Sequence, residues 1–312
     1  MTAPDLPAHL FCFGYGYSAR ALADGLRGEG WAVSGTCRSE EKRAELAAAG
    51  VRAFLFDRGR PLDDPGAALS GVTHLLISAP PDRLGDPVLS QHEGAVRAAA
   101  GLRWIGYLST TGVYGDTGGA VVDETAPLRP TAERSVRRAE AERRWLDLFD
   151  AHGLPVHVFR LAGIYGPGRN AIEQVLRGEA RRIDRPGHVF SRIHVDDIAA
   201  VLRASIACPR PGGVYNVCDD EPAEPAAVVT YACALLGIAP PPPVSWDDAV
   251  PGMSAMALSF WQDNRRVDNR RIKAELGVAL RYPTYREGLA AVARTLGVAR
   301  PMAEPLAPAG PG

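Results

Sequence analysis

A glycine motif directly after an apolar segment is the feature that most constrains the fold of this chain. Residues 11–19 read F-C-F-G-Y-G-Y-S-A, which predicts a strand that enters a tight turn and then a helix. The first glycine permits the turn, the second lets the backbone approach a pyrophosphate, and the alanine permits close packing of helix on strand. The helix N-terminus would face the anion. A plain glycine turn is the alternative; otherwise the motif predicts a dinucleotide site that includes Gly14, Gly16, Tyr17, Ser18 and Ala19.

The first half of the chain alternates short apolar runs with longer amphipathic segments, a pattern typical of a parallel sheet covered by helices. Strands are predicted at 9–13, 32–36, 51–56, 74–77, 104–108 and 156–159, and helices at 19–27, 40–49, 87–100 and 131–152. The predicted fold class is therefore α/β, with a Rossmann-type doubly wound parallel sheet over residues 1–160. Residues 301–312, rich in Pro and Gly, are predicted to be a disordered tail.

Lysine is almost absent: of the 35 Lys and Arg residues, only Lys42 and Lys273 are lysines. Neither lies in a Gly-Lys-Ser/Thr sequence, which excludes a P-loop nucleotide-binding site. Neither has a tyrosine four residues before it, where Arg38 and Asn269 stand. This spacing excludes the usual Tyr-x-x-x-Lys acid of short-chain dehydrogenases.

The composition also argues against several classes of partner. The formal net charge is −1 and there is no long basic run, so neither nucleic acid nor an anionic membrane surface is expected to bind. No apolar segment approaches the roughly 18 residues of a membrane span. Five scattered cysteines without a C-x-x-C spacing predict reduced thiols, and no His or Cys pattern predicts a metal site. The first residues lack the basic and apolar regions of a secretory signal, so a cytoplasmic location is expected.

Basic rather than acidic residues follow the second predicted strand. Arg38 and Ser39 come directly after it, with no acid before Glu40. An acid here would accept the ribose 2′-hydroxyl of NAD, whereas a planar guanidinium suits the 2′-phosphate of NADP. NADP is therefore favoured over NAD, with an ordinary surface role for Arg38 as the alternative. Asp57, after the third strand, is predicted either to bind an adenine amino group or to cap the next turn.

Five further segments match one family in order along the chain. They are LSTTGVYGD at 108–116, VDETAP at 122–127, YGPG at 165–168, IHVDD at 193–197 and YNV at 215–217. With the glycine motif they resemble the extended and atypical short-chain dehydrogenase/reductases of the NAD-dependent epimerase/dehydratase superfamily. The resemblance covers about residues 8–297. It implies a smaller C-terminal substrate lobe over 161–300, which returns strands to the main sheet, and chemistry in the cleft between the two.

The resemblance also assigns residues to the reaction. Thr110, four residues before the tyrosine of the V-Y-G sequence, would hydrogen-bond the reacting oxygen. Ser109 would line the nicotinamide side of the cleft, together with Ser78, Ala79 and Pro80 after the fourth strand. All of these residues lie at carboxyl ends of predicted strands, where doubly wound folds bind ligands.

The family's catalytic tyrosine and lysine are missing. Aligned on the A-E-R sequence at 141–143, their places hold Arg134 and Arg138. An arginine cannot supply a proton because its pKa stays above about 12, but Arg138 could hold a ribose or a phosphate as the lysine would. Tyr114 is the predicted substitute proton donor, provided that a neighbouring arginine lowers the pKa of its phenol from about 10. A packing role for Tyr114 is the alternative.

Two other segments contain candidate residues for the site. His194 has an intrinsically suitable pKa of about 6.5, but it is interpreted as a structural residue before a helix that Asp196 or Asp197 caps. The pair Phe260-Trp261 could wall a substrate pocket, although a packing role is favoured.

The sequence thus supports two functional hypotheses. The first is an NADP-binding oxidoreductase or epimerase-like protein with a non-standard active site, acting on a small carbonyl, hydroxyl or sugar-like substrate. The second is a member that binds NADP but has lost catalysis and serves as a sensor or interaction module. A monomer and a homodimer are equally compatible with the sequence.

Overall fold

The computed structural model describes residues 8–299. In this part of the chain the strands are β1 (His9–Phe13), β2 (Ala32–Cys37), β3 (Arg52–Leu55), β4 (His74–Ile77), β5 (Trp104–Thr110), β6 (Val121–Val122), β7 (Val156–Leu161), β8 (Gly163–Tyr165), β9 (Arg182–Asp184), β10 (Arg192–His194), β11 (Val214–Val217), β12 (Pro243–Ser245) and β13 (Arg266–Val267). The six predicted strands are confirmed as β1 to β5 and β7, with ends that differ by at most two residues from the prediction.

The helices of the same residues are α1 (Tyr17–Gly28), α2 (Glu40–Ala48), α3 (Pro65–Leu69), α4 (Pro87–Ala98), α5 (Glu133–His152), α6 (Ala171–Leu176), α7 (Val195–Ala207), α8 (Pro225–Leu236), α9 (Trp246–Ala249), α10 (Ala255–Trp261), α11 (Arg270–Leu276) and α12 (Tyr285–Thr295). Short 3₁₀ turns lie at Thr111–Tyr114 and Val250–Gly252. No helix among residues 8–299 is long and apolar enough to cross a membrane.

Seven strands form one parallel sheet in the order β3-β2-β1-β4-β5-β7-β11. β1 pairs with β2 on one side and with β4 on the other, so the direction in which the chain adds strands reverses between β1 and β4. In such sheets a ligand binds at the carboxyl ends of the strands beside the reversal. The predicted Rossmann-type doubly wound sheet is thereby confirmed, and its topology places the ligand crevice after β1 and β4.

Buried apolar side chains cover both faces of this sheet. Leu22 of α1 and Leu202 of α7 are fully buried on one face, and Val96 of α4 and Trp145 of α5 are fully buried on the other. Each such side chain contributes about 1.5–3 kcal/mol when it leaves water. The two layers hold the carboxyl edge of the sheet as a rigid support for the loops that follow the strands.

The chain after β7 is shared between the main sheet and a smaller unit. α7 packs on α1, and β11 extends the sheet with Tyr215 opposite Phe159 of β7. α6, α8 and α12 instead surround a separate core that includes Ile172 and Leu289. The short pairs β10-β8, β12-β9 and β13-β6 complete this half. The predicted tail at 301–312 lies outside the described residues.

Candidate functional site

A cleft of about 660 Å³ lies between the carboxyl edge of the main sheet and the smaller unit. The smaller unit contributes side chains such as Tyr165, Arg192 and Leu289 to its wall. Five of the residues predicted for the site line it as well: Ser18, Ser78, Ser109, Thr110 and Arg138. The structure therefore brings these five residues together at the crevice that the sheet topology defines.

The glycine motif forms an open cradle beside this cleft. Gly14 has a φ of +88°, and a Cβ there would lie 2.9 Å from the backbone nitrogen of Ala79, so the turn requires glycine. A Cβ at Gly16 would meet nothing within 4 Å. Gly16 is the N-cap of α1, and no side chain caps that end. The first-turn amides and the positive end of the helix dipole therefore face open space that an anionic group fits.

The next residues of the motif have separate tasks. The phenol of Tyr17 donates a hydrogen bond to the carbonyl oxygen of Pro167, 2.9 Å away in the smaller unit. Ala19 is fully buried where α1 packs on the sheet. Tyr17 thus joins the cradle to the other side of the cleft, and Ala19 sets the close approach of helix and strand.

The residues predicted to bind the adenosine end lie at the ends of β2 and β3. Arg38 is exposed, and among residues 8–299 no carboxylate lies within ion-pair distance of its guanidinium. The hydroxyl of Ser39 accepts the amide of Lys42 at 3.3 Å and caps α2. Asp57 accepts the amide of Gly59 at 2.8 Å, so it caps its own turn as the alternative interpretation expected. Only Arg38 of these three residues keeps its polar group fully available.

The residues predicted for the nicotinamide side are only partly together. Ser78 lines the cleft, whereas Ala79 and Pro80 do not. The backbone of Ala79 packs against Gly14, and Pro80 is exposed. The hydroxyl oxygen of Thr110 accepts the amide of Gly112 at 3.1 Å, so its hydrogen can be donated into the cleft.

Behind Ser109 lies a buried polar network. The Ser109 hydroxyl donates to the carboxylate of Glu142, which is 1% exposed. Arg160 donates to the same carboxylate, with Nη2 2.9 Å from Oε2. The other end of the Arg160 guanidinium donates to the phenol oxygen of Tyr114 at 2.9 Å, and that phenol donates to Oδ1 of Asn216 at 2.7 Å. Ser109, Glu142, Arg160, Tyr114 and Asn216 thus satisfy one another within this network, as buried charges require.

The position of Tyr114 differs from the expectation of a proton donor in the cleft. Its side chain is 1% exposed and does not line the cleft. Burial raises the pKa of the Tyr114 phenol, although Arg160 and Asn216 act in the opposite direction. The condition for a proton-donor role, a phenol pKa lowered by a neighbouring arginine, is therefore not met, because desolvation outweighs the guanidinium. The geometry matches the alternative interpretation, a packing tyrosine.

Arg134 and Arg138, the two residues that the resemblance aligns with a catalytic tyrosine and lysine, both lie on α5. Arg138 lines the cleft and donates to the carbonyl oxygen of Leu108 at 2.7 Å. The guanidinium carbon of Arg134 lies 3.6 Å from the centre of the Phe260 ring. Phe260 lines the cleft, as the pocket role predicts. Trp261 packs in a small cluster of buried side chains, as the packing role predicts. Arg134 holds α10 against the cleft by a cation–π contact.

Positive charge dominates the cleft wall. Among residues 8–299, Asp263 is the acid that lines the cleft. Its carboxylate pairs with Arg265 at 2.9 Å and accepts the hydroxyl of Thr131 at 2.6 Å. Behind Arg192 lies Asp219, a fully buried carboxyl whose pKa burial raises to about 8. The remaining cationic lining residues are Arg138, Arg169, Arg181 and Arg192. The cleft is therefore suited to anionic ligands.

The helix that follows the I-H-V-D-D sequence is capped differently from the expectation. His194 itself is the N-cap of α7 and accepts the amide of Asp196 at 3.1 Å. Asp197 is buried and accepts the amides of Arg281 and Tyr282 at 2.7 and 3.0 Å. The structural role predicted for His194 matches this position, but the aspartates do not cap the helix.

Sequence reasoning missed Glu142, Arg160 and Arg169. Glu142 lies within the A-E-R sequence, and its place four residues after Arg138 puts both on one face of α5. Arg160 is the penultimate residue of the buried strand β7, where a charged residue among apolar ones could have indicated a paired ion. Arg169 follows the Y-G-P-G sequence directly.

Comparison with known proteins places the chain among relatives of the same architecture. A family model described as the NAD dependent epimerase/dehydratase family matches residues 14–218. Protein YeeZ of Escherichia coli strain K12 is 30% identical over 283 residues, covering 86% of this chain and 94% of that protein.

Two solved structures extend the likeness to the whole fold. A functionally unknown conserved protein from Silicibacter pomeroyi DSS is 51% identical, with a TM-score of 0.84 over 93% of this chain and 99% of that chain. dTDP-glucose 4,6-dehydratase from Bacillus anthracis, solved in complex with NAD, is 18% identical, with a TM-score of 0.73 over 93% and 96% of the two chains. At that identity the second likeness concerns the fold alone.

Proposed function

Because the chain belongs to the NAD-dependent epimerase/dehydratase family, we propose that it is a nicotinamide-dependent oxidoreductase or epimerase-like enzyme. Its cofactor is NADP, and its substrate is a small sugar-like compound with a hydroxyl or carbonyl group. The observation that carries the proposal is the uncapped N-terminus of α1 at Gly16, which opens beside a cleft that Thr110 lines.

The cofactor assignment rests on the fit of the cradle. The open space at Gly16 and the free first-turn amides of α1 suit a pyrophosphate. Arg38, exposed at the end of β2 without an ion-pair partner among residues 8–299, suits a 2′-phosphate. The solved B. anthracis relative binds NAD, so the preference for NADP depends on Arg38.

At the end of the cleft where the reaction would take place, Thr110 and Arg138 have separate roles. Thr110 donates its hydroxyl hydrogen to the reacting oxygen and orients it. Arg138, held by the carbonyl of Leu108, replaces the family's lysine beside the ribose. NADP held by the first-turn amides of α1, Arg38 and Arg138 would supply hydride-transfer chemistry at the carbon that carries the reacting oxygen, and the accompanying proton would be exchanged with solvent. The arginine-rich wall would hold an anionic part of the substrate.

The test begins with purified protein and NADPH fluorescence, followed by absorbance with a panel of aldehydes, ketones and sugar nucleotides. We expect NADPH to bind and at least one substrate to be turned over. Thr110→Val should lower kcat about 100-fold, the size expected for losing one donor to a developing charge. Thr230→Val, on the exposed face of α8, should leave kcat unchanged. Failure of wild-type protein to bind either dinucleotide would refute the proposal.

A separate variant tests the choice of dinucleotide. Arg38→Asp should weaken NADP binding at least tenfold more than NAD binding, because it replaces the phosphate's guanidinium partner by a like charge. Arg97→Asp, an exposed arginine of α4, makes the same charge change elsewhere and should leave the ratio unchanged. An unchanged NADP/NAD ratio in Arg38→Asp would remove the assignment of NADP.

One observation favours a second candidate, a dinucleotide-binding sensor without catalysis. Arginines fill both places of the family's Tyr-Lys pair, and Tyr114 lies in a buried network outside the cleft. NADPH binding without turnover of any substrate in the panel would select this candidate.

A further inference from the structure

The loop between β8 and α6 is held in one conformation by its own backbone. The amides of Gly166 and Arg169 each donate to the other's carbonyl oxygen at 3.0 Å. The side chain of Asn170 adds a hydrogen bond to the carbonyl oxygen of Gly166 at 2.8 Å. The direction in which the Arg169 side chain leaves this loop is therefore fixed by the fold.

The same loop lies against the first turn of α1. The phenol of Tyr17 donates to the carbonyl oxygen of Pro167 at 2.9 Å. A Cβ at Gly166 would lie 2.6 Å from that phenol oxygen, so the contact leaves room only for glycine. Burial raises the pKa of Tyr17 to about 12, and the positive charge of Arg169 opposes this rise, as a nearby cation does.

The guanidinium of Arg169 is available to a ligand. It lines the cleft together with Ser18 of α1. Within residues 8–299, no carboxylate lies within ion-pair distance of Arg169. Arg177, eight residues later, contrasts with it: Arg177 pairs with Glu173 at 3.7 Å and with Glu179 at 2.8 Å, and it does not line the cleft.

We propose that Arg169 binds the pyrophosphate of the dinucleotide from the side opposite to α1, so that both halves of the chain hold the cofactor. This inference rests on the proposed function. The first-turn amides of α1 supply donors on one side, and a guanidinium supplies a charge-assisted, two-pronged donor on the other. Tyr17 acts as a positioning residue, since it holds the loop that carries Arg169.

The test measures NADPH affinity by fluorescence titration, with no need for turnover. Arg169→Gln should weaken binding about tenfold or more. Arg169→Lys keeps the charge but loses the two-pronged geometry, so it should recover only part of that loss, and Arg177→Gln should match wild type. The wild-type affinity should also fall more steeply with salt than that of Arg169→Gln, because one charge contact is lost in the variant. Melting temperatures should be equal, since Arg169 makes no ion pair with any other residue of the described range 8–299.

The outcomes separate this inference from the function on which it rests. Wild-type binding with an Arg169→Gln affinity within twofold would overturn the role of Arg169 and leave the proposed function intact. No binding of NADPH or NADH to wild type would overturn both. A weakened Arg169→Gln that Arg169→Lys does not rescue would also contradict a charge contact with the pyrophosphate.

Discussion

The two ends of the cleft are built in different ways. The pyrophosphate end depends on backbone geometry: the left-handed turn at Gly14, the open space at Gly16 and the free amides of α1. The end proposed for the reaction depends on particular side chains, and here the resemblance aligns Arg134 and Arg138 with a tyrosine and a lysine. A backbone cradle is insensitive to most substitutions, whereas a side-chain constellation changes with one. On the proposed function, the cofactor end is therefore recognisable from the sequence, whereas the reacting end differs from the pattern that the resemblance implies.

The largest expected effect lies in the layer behind the reacting end. Glu142→Ala leaves the Arg160 guanidinium buried without its carboxylate, which should lower the free energy of unfolding by about 3–5 kcal/mol. Glu140→Ala, an exposed neighbour on α5, should change it by less than about 0.5 kcal/mol. Urea unfolding of both variants measures the difference. A loss below about 1 kcal/mol for Glu142→Ala would mean that the network does not support this end of the cleft.

The next largest effect concerns cofactor binding at Gly16, tested with a variant that should not disturb folding. Gly16 has an extended backbone conformation and open surroundings, so Gly16→Val should fold normally. The added side chain occupies the place proposed for the pyrophosphate and should weaken NADPH binding about 100-fold, or about 2.7 kcal/mol. Gly28→Val, at the other end of α1 and also in open space, is the matched control for fluorescence titration. Equal affinities in the two variants would place the dinucleotide elsewhere.

The smallest effect concerns Tyr114. Tyr114→Phe removes the phenol that joins Arg160 to Asn216, and it should cost about 1–2 kcal/mol of unfolding free energy. Because the phenol does not line the cleft, NADPH affinity and kcat on any substrate should stay within twofold of wild type. A general acid contributes about 10²–10⁴-fold. A loss of kcat of that size with unchanged affinity would restore Tyr114 as the proton donor.

Features of the structure that depend on neighbouring residues could be predicted from the sequence, whereas features that depend on distant residues could not. The strands of the main sheet and the cradle at Gly14 and Gly16 follow from periodicity and from turn chemistry within a few residues. The burial of Tyr114 depends on Arg160 and Asn216, which are 46 and 102 residues away along the chain. Neighbouring residues carry no sign of such contacts.

Two other residues show the same limit at shorter range. Asp57 and Ser39 were equally compatible with capping and with cofactor binding, because both tasks use the same side-chain oxygens. The structure shows both of them as caps, with amides at 2.8 and 3.3 Å. Arg169 gave no periodic signal, since its availability depends on which carboxylates the fold brings near it.

A crystal structure of the protein with NADP bound tests the contrast between the two ends most directly. We expect the pyrophosphate within about 3 Å of the first-turn amides of α1, the nicotinamide beside Thr110, and the Tyr114 phenol still hydrogen-bonded to Asn216. A dinucleotide bound away from Gly16, or a Tyr114 side chain turned into the cleft toward the nicotinamide, would contradict this account.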